Sequence, residues 1–319
     1  MSIPLSGEER RFTATEAAAL AGVTVDQARR LWRALGFPEA GDEAAYGTSD
    51  IEALRRLTRV MESALIDFDT AVNLTRGVGQ MMSRLSEWEI SGLLRRIEDV
   101  EDGVDEEGNH SKGTLQDAIG LINQLNEPFE ELLVYVWRRH MKAAVARLEA
   151  AGSDDDLITT QLTVGFADIV SFTALSNTIG EAKVGDLVEV FESRCADVIA
   201  VQRGRVIKSL GDSVLFTNPD PVRAYDTAAG IINVVGRDPR MPDVRVGLAT
   251  GSVVTRLGDV FGPPVNMAAR LTAVARRNHI IVDQATADLL PDDQFESRRL
   301  PARPVRGFGV MEPVSIRRH

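Results

Sequence analysis

A single cysteine, Cys195, stands in 319 residues, so no intramolecular disulfide can form. That is the usage of a reducing compartment. Its neighbours Phe191, Val198 and Ile199 mark it as core packing. No run of about twenty apolar residues is present to span a bilayer. The polar start, Met1 to Glu8, lacks the pattern of a secretory leader. The chain is therefore expected to be soluble and cytoplasmic. Positive charge is also short: 36 Lys and Arg face 47 Asp and Glu, a net charge of −11. This argues against a general nucleic-acid or anionic-membrane binder, since both profit from a basic surface. Internal repeats and low-complexity tracts are missing. What is present is 44% hydrophobic residues over a length that supports two ordinary cores.

The N-terminal half reads as helical. Thr13 to Thr24, followed by Val25–Leu35, has the pattern helix, glycine turn, helix, and Tyr46 with Asp50–Leu54 resembles the region after the wing in MerR-like DNA-binding modules. Residues 1–60 hold eight arginines and no lysine against nine acidic residues, a net of −1. Protein contacts are thus the better reading of this helix–turn–helix at 13–35. From Ile51 to about Val100 apolar residues recur at helical spacing, Leu54, Leu57, Val60, Met61, Leu65 and Phe68 first, then Val72, Leu74, Val78, Met81 and Leu85. Glu101–Lys112 reads as a solvated loop, and Leu115 to Leu148 as a long amphipathic helix. The polar stretch Ala150 to Asp156, with Gly152 as a helix stop, gives an all-α domain over 1–152, a linker over 153–160 and a second domain over 161–319.

In the second domain, Phe166-Ala167-Asp168-Ile169-Val170-Ser171-Phe172-Thr173 closes an apolar strand, and Ile207-Lys208-Ser209-Leu210-Gly211-Asp212 ends in a Gly-Asp turn. Two carboxylates, Asp168 and Asp212, at neighbouring strand ends suit a hard divalent cation, which takes few protein oxygens and completes its shell with water and phosphate. Taken singly, each is an ordinary residue: a strand-end cap, a turn aspartate, and, for Lys208, a solvent-facing strand position. The joint spacing, with Asp259, Asn266 and Arg270 further on, argues otherwise.

These motifs resemble the catalytic domain of class III adenylyl cyclases, over roughly Gln161 to His319. The resemblance implies two Mg²⁺ or Mn²⁺ ions held by Asp168, Ile169 and Asp212, adenine selected by Lys208 and Asp259, and a transition state stabilised by Asn266 and Arg270. It also implies phosphate contacts from Phe172 and Thr173, whose N–H groups open a helix, with Arg306 in Val305-Arg306-Gly307-Phe308-Gly309 as the triphosphate cation. The reaction would be attack of the ribose 3′-hydroxyl of ATP on the α-phosphate with loss of pyrophosphate, under two-metal catalysis and without a histidine base. Donor counting favours adenine: a lysine only donates and adenine N1 accepts, whereas an aspartate accepts from the 6-amino group. Ser171 departs from the family, which often has glycine there. A Gly-Gly-Asp/Glu-Glu-Phe signature, the mark of diguanylate cyclases, is absent.

In that family the lysine and the metal aspartates of one site come from opposite domains, so the resemblance implies a head-to-tail homodimer with composite sites. The expected fold is α+β, a ferredoxin-like cyclase domain preceded by the all-α domain; its elements read in order as a strand to Asp168, helix Glu181–Val201, hairpin Arg205–Phe216, helix Pro221–Val235, strand Val244–Thr250, helix Val265–Arg276, strand Ile280–Val282 and terminal strands near Arg298–Leu300 and Val310–Ile316. The whole resembles soluble actinobacterial cyclases with an N-terminal regulatory, autoinhibitory domain. Two stimuli fit the residues: an apolar ligand among the Met- and Leu-rich helices, and acid, sensed by His110 and His140. A catalytically silent nucleotide-binding module and a helix–turn–helix transcription regulator are the rival readings.

Overall fold

The computed structural model describes residues 9–63, 65–101, 115–151 and 159–319. The chain divides into two compact units, Met1–Val145 and Ala146–His319.

In the first unit, α1 (Ala14–Ala21) and α2 (Val25–Leu35) each start from a threonine capping box, Thr13 with Glu16 and Thr24 with Gln27. Each box satisfies orphan N–H groups from both directions, which fixes where the helix begins. α3 (Thr48–Glu62) follows, and a bridge between Phe12 and Tyr46 pins its approach. Tyr46 stacks on Trp32 at 3.8 Å between ring centroids. Ala17, Ala28, Leu31 and Leu54 complete a small core. α4 (Phe68–Glu101) lies against α2 and is longer than either. Arg30 pairs with Asp69 at 2.8 Å and lies over the Phe68 ring, while Arg33 pairs with Glu39 and Arg55 caps the Leu20 carbonyl at the end of α1. α5 (Leu115–Ala151) carries Pro128 in its interior. The expected acidic loop and His110 lie outside the described residues, as does the stretch 153–158 of the expected linker.

The second unit begins with β1 (Thr159–Ile169), then α6 (Phe172–Ser176), α7 (Glu181–Val201), β2 (Arg205–Ser209), β3 (Ser213–Asn218), α8 (Pro221–Gly236) and β4 (Val244–Arg256). The order β2-β3-β1-β4, all antiparallel, is the βαββαβ ferredoxin-like core. β5 (Asp259–Phe261) folds back on the end of β4, α9 (Pro263–Val274) follows, and β6 (Ile280–Val282) joins β4 in parallel. After α10 (Gln284–Asp288), β7 (Phe295–Arg299) and β10 (Val314–Arg318) extend the sheet, while β8 (Arg303–Val305) and β9 (Gly309–Met311) form a separate hairpin.

Strand alternation sorts the sheet into two faces. Ala167, Ile169, Val214, Phe216, Val246 and Leu248 meet α7 and α8, with Cys195 fully buried among them. Val164, Leu215, Ala249 and Val253 meet α9. Gly247 permits that second packing: a Cβ there would stand 2.4 Å from the Thr272 nitrogen and 2.5 Å from the Ala268 carbonyl. Only a bare backbone lets α9 lie this close to β4.

Most expected elements appear within a few residues, with three corrections. The strand expected over Val244–Thr250 continues to Arg256 because the start of β1 pairs it as far as Val254 and β5 pairs it from there. The helix expected over Val265–Arg276 starts at Pro263, a favoured first helical position, and stops at Val274, after which Ala275 is extended. The stretch expected as one terminal strand, Val310–Ile316, is split between β9 and β10 with Pro313 between them.

Candidate active site

Asp168 is the penultimate residue of β1, on the face that carries α9, and its strand partner in the hairpin is Ser213, next to Asp212. The Ile169 N–H donates to the Asp212 carbonyl at 2.9 Å, which ties the turn Leu210–Ser213 to the end of β1. The two carboxylates are thereby held on adjacent segments by main-chain bonds. Burial pushes the Asp168 carboxyl above its ordinary value; Arg245 opposes the shift and the negative charge of Asp212 adds to it. Ile169 buries its side chain in the core, so it would meet a metal only through its main chain.

A residue not foreseen in the sequence stands in this site. Arg245, opposite Asp168 on β4, donates to the Asp168 carboxylate from Nε at 2.8 Å, with its second terminal nitrogen at 2.6 Å, and to the Ala273 carbonyl from its third nitrogen at 3.0 Å. One guanidinium thus joins a metal-type carboxylate to the C-terminal turn of α9. Strand register alone brings it there, across a separation of 77 residues. An arginine flanked by Val244 and Val246 gives no local sign of that role.

Lys208 and Asp259 also come together, at 2.5 Å. A register shift between Val206 and Lys208 redirects β2, so that Lys208 turns to β5 instead of to solvent as an ordinary strand lysine would. Burial pushes the Asp259 carboxyl up, yet the Lys208 ammonium and the Val260 N–H outweigh it and hold it below the usual carboxylate range. Lysine keeps further N–H donors and aspartate further lone pairs when the two are paired. The couple therefore presents one donor and one acceptor side by side.

Asn266 and Arg270 lie one turn apart on α9, both exposed, and neither side chain makes a hydrogen bond or ion pair among the described residues. Arg306 sits exposed at the tip of the β8–β9 hairpin. Phe172 opens α6 and packs partly into the core, and Thr173 follows it in this helix of only five residues. The Val170 N–H, just ahead of this helix, is not free, because it donates to the Asp243 carbonyl at 2.8 Å. Ser171 adopts φ 58°, a left-handed conformation that glycine takes at less cost. The local backbone thus explains the family's preference for glycine there.

Among the described residues no group of three or more His, Cys, Asp or Glu side chains converges as a metal cage. Two adjacent carboxylates still fit Mg²⁺ or Mn²⁺, since such ions use one or two carboxylates and take their other ligands from water and substrate phosphates. Together the fold and these groups define a nucleotide cyclase catalytic domain. Residues 158–317 match the family described as adenylate and guanylate cyclase catalytic domain. An adenylate cyclase from Streptomyces coelicolor is 37% identical over 98% of this chain and 87% of its own length. A pH-sensitive adenylate cyclase from Mycobacterium tuberculosis is 31% identical over 93% of this chain and 76% of its own. The solved adenylyl cyclase CyaB from P. aeruginosa aligns with 50% of this chain and 94% of that one, at 22% identity and a TM-score of 0.45. The chain belongs to the class III adenylyl cyclases.

Proposed function

We propose that the chain converts ATP to 3′,5′-cyclic AMP and pyrophosphate at two composite sites of a head-to-tail homodimer. The carrying observation is the Lys208–Asp259 pair, which matches the donor and acceptor edge of adenine and mismatches guanine. A mismatch would leave polar groups unpaired, the largest source of discrimination a binding site has. Divalent ions at Asp168 and Asp212, when bound, lower the pKa of the attacking 3′-hydroxyl and offset charge on the leaving phosphates. The chain's own groups do the rest. Lys208 and Asp259 hold the base, Asn266 orients the ribose, and the Arg270 fork meets charge developing on the α-phosphate oxygens. As the O3′–Pα bond forms and the bond to pyrophosphate breaks, the hydroxyl proton leaves to solvent. Arg306, at the β8–β9 tip, is the cation proposed for the triphosphate, and Arg245 holds the Asp168 carboxylate against the end of α9. The outward, unpaired state of Asn266 and Arg270 supports a site completed by the partner subunit's Asp168 and Asp212.

The first unit is proposed as the regulator. Two of the three arginines of α2 are engaged within the unit, Arg30 by Asp69 and Phe68 and Arg33 by Glu39, which favours protein contacts over DNA. A cavity of about 390 Å³ between α4 and α5, lined by Ile90, Leu93, Ile122, Leu125, Phe129 and Leu133, supports an apolar ligand. His140, on exposed α5, and the pH-sensitive relative make acid the other stimulus to test. Among the described residues no helix is long and apolar enough to cross a membrane.

The test is to incubate the full chain with ATP or GTP and Mn²⁺ or Mg²⁺ from pH 5.5 to 8 and measure cyclic nucleotide. Cyclic AMP that disappears with Asp168→Asn is the expected result. No product from the full chain or from a fragment starting near Asp156 would favour the silent-module reading. A faster fragment supports inhibition by the first unit; an equal one counts against it.

A further inference from the structure

The bulge that turns Lys208 toward β5 turns a second cation the same way. Arg205 and Lys208 lie three residues apart, so in an unbroken strand their side chains would leave opposite faces of the sheet. In β2 their partners on β3 are Thr217 and Leu215, which lie two apart and share a face. The slip between Val206 and Lys208 therefore brings both side chains to one side. There both meet the β4–β5 hairpin. Lys208 pairs with Asp259 at 2.5 Å, and Arg205 donates from a terminal nitrogen to the Gly258 carbonyl at 3.3 Å, across a separation of 53 residues. Leu257 and Gly258 make the hairpin turn, both with positive φ, 52° and 80°, the mirror-type geometry that a two-residue hairpin favours. The ladder pairs Arg256 with Asp259, which leaves the Gly258 carbonyl outside it and open to a donor. Beyond Asp259 the hairpin is anchored by buried Val260; at the turn itself Leu257 is 82% exposed and packs nothing down. Among the described residues, the Arg205 bond is what ties that end.

We infer that Arg205 is a positioning residue for base selection, which fixes the β4–β5 turn so that the Asp259 carboxylate stays beside the Lys208 ammonium. The inference rests on the reading of Lys208 and Asp259 as the pair that binds adenine. An arginine is a costly choice at this place. It is half-buried and has no carboxylate partner among the described residues. Burial lowers its pKa, and the like charge of Arg147 adds to that. An uncharged side chain on this edge strand would avoid both costs. What the guanidinium supplies is reach and direction, since its donors sit in a rigid planar fork. If the turn is let go, the carboxylate is free to swing from the 6-amino group of adenine. Guanine presents an acceptor at that position, so GTP loses no contact by the same movement. The effect therefore falls on the choice of base and leaves the reacting phosphate alone.

The test uses the full chain with Arg205→Met, which keeps an unbranched stem and removes every donor, and Arg205→Lys, which restores a cationic donor. ATP and GTP are each titrated against a bound fluorescent ATP analogue, so the readout does not depend on turnover, and kcat is measured beside it. Arg205→Met is expected to raise Kd for ATP about 5- to 10-fold, the loss of roughly one hydrogen bond, with Kd for GTP and kcat each within about two-fold. Arg205→Lys should recover part of the ATP affinity. In an Asp259→Ala background Arg205→Met should add less than about two-fold, because nothing is left for the turn to position. Equal losses for ATP and GTP, a loss confined to kcat, or full additivity with Asp259→Ala would overturn the inference, since a merely structural arginine predicts those results. A Kd ratio of ATP to GTP that moves with Asp259→Ala but not with Arg205→Met sinks the inference alone. A ratio that Asp259→Ala leaves unchanged sinks the base-selecting pair and the inference with it.

Discussion

Mixing two inactive variants isolates the composite-site claim from every other part of the mechanism. Asp168→Asn removes the charge of a metal carboxylate but keeps an oxygen for the Arg245 guanidinium, so the ion pair that ties β4 to β1 is replaced by a hydrogen bond from the still-charged guanidinium to an amide oxygen and its donors keep an acceptor. Arg270→Ala removes an exposed side chain with no partner among the described residues, and so leaves packing alone. Each variant alone should fall about 100- to 1,000-fold, the usual cost of one transition-state charge. Coexpressed in equal amounts, they pair at random and half the dimers are mixed. In a mixed dimer one site carries both defects and the other carries neither. One intact site in half the dimers gives about a quarter of wild-type activity, roughly 25-fold or more above either parent. With two affinity tags the mixed dimer is purified alone, and its expected specific activity is about half that of the wild type. If the site lay within one chain, the mixture would stay at the average of its parents, below about 1%. A mixed dimer with no gain would refute the two-chain site even if cyclic AMP formation were established.

Three further expectations follow from particular contacts. Lys208→Ala takes the donor from the base edge and the cation from Asp259; kcat/KM for ATP should drop about 10- to 150-fold, equivalent to roughly 1.5–3 kcal/mol, with little change for GTP, and an unchanged ATP/GTP ratio would remove the lysine from base selection. Gly79→Ala would place a Cβ 2.4 Å from the Leu35 carbonyl oxygen, so α4 must shift from α2; despite alanine's better helix propensity, a net loss of about 1–2 kcal/mol should appear as a lower melting temperature, and a rise would show that the helices yield freely. Asp238 is held well below the ordinary carboxylate range by the Arg240 side chain, then the Arg240 N–H and Arg194. Its contribution to stability is present above the unfolded value of about 4 and is lost as pH falls toward the folded one. The melting temperature of Asp238→Asn should therefore lie below that of the wild type at pH 7, with the gap narrowing below pH 4; a gap constant with pH would refute the linkage.

How much was legible differs from residue to residue. Asp168, Asp212, Lys208, Asp259, Asn266 and Arg270 were all nameable from spacing and family resemblance, because each sits inside a short segment whose neighbours constrain it. Helix starts were legible where Thr13 with Glu16 and Thr24 with Gln27 spell out capping boxes three residues apart. The boundaries that moved, at β4 and α9, depend on partners elsewhere in the chain: β1 and β5 prolong one, and packing on Gly247 seats the other.

The sequence by itself determined the chemistry on offer, since charges, donors and apolar periods belong to residue types and local spacing. Only the tertiary structure decided which of those groups meet. Arg245 reaches Asp168 because β1 and β4 run antiparallel in one register, Lys208 turns to Asp259 because β2 slips at Val206, and Leu74, Val78, Met81 and Trp88 of α4 stay exposed because α2 covers a different face of that helix. Strand register, a bulge and helix packing are long-range outcomes, fixed by how whole faces bury their apolar surface against one another.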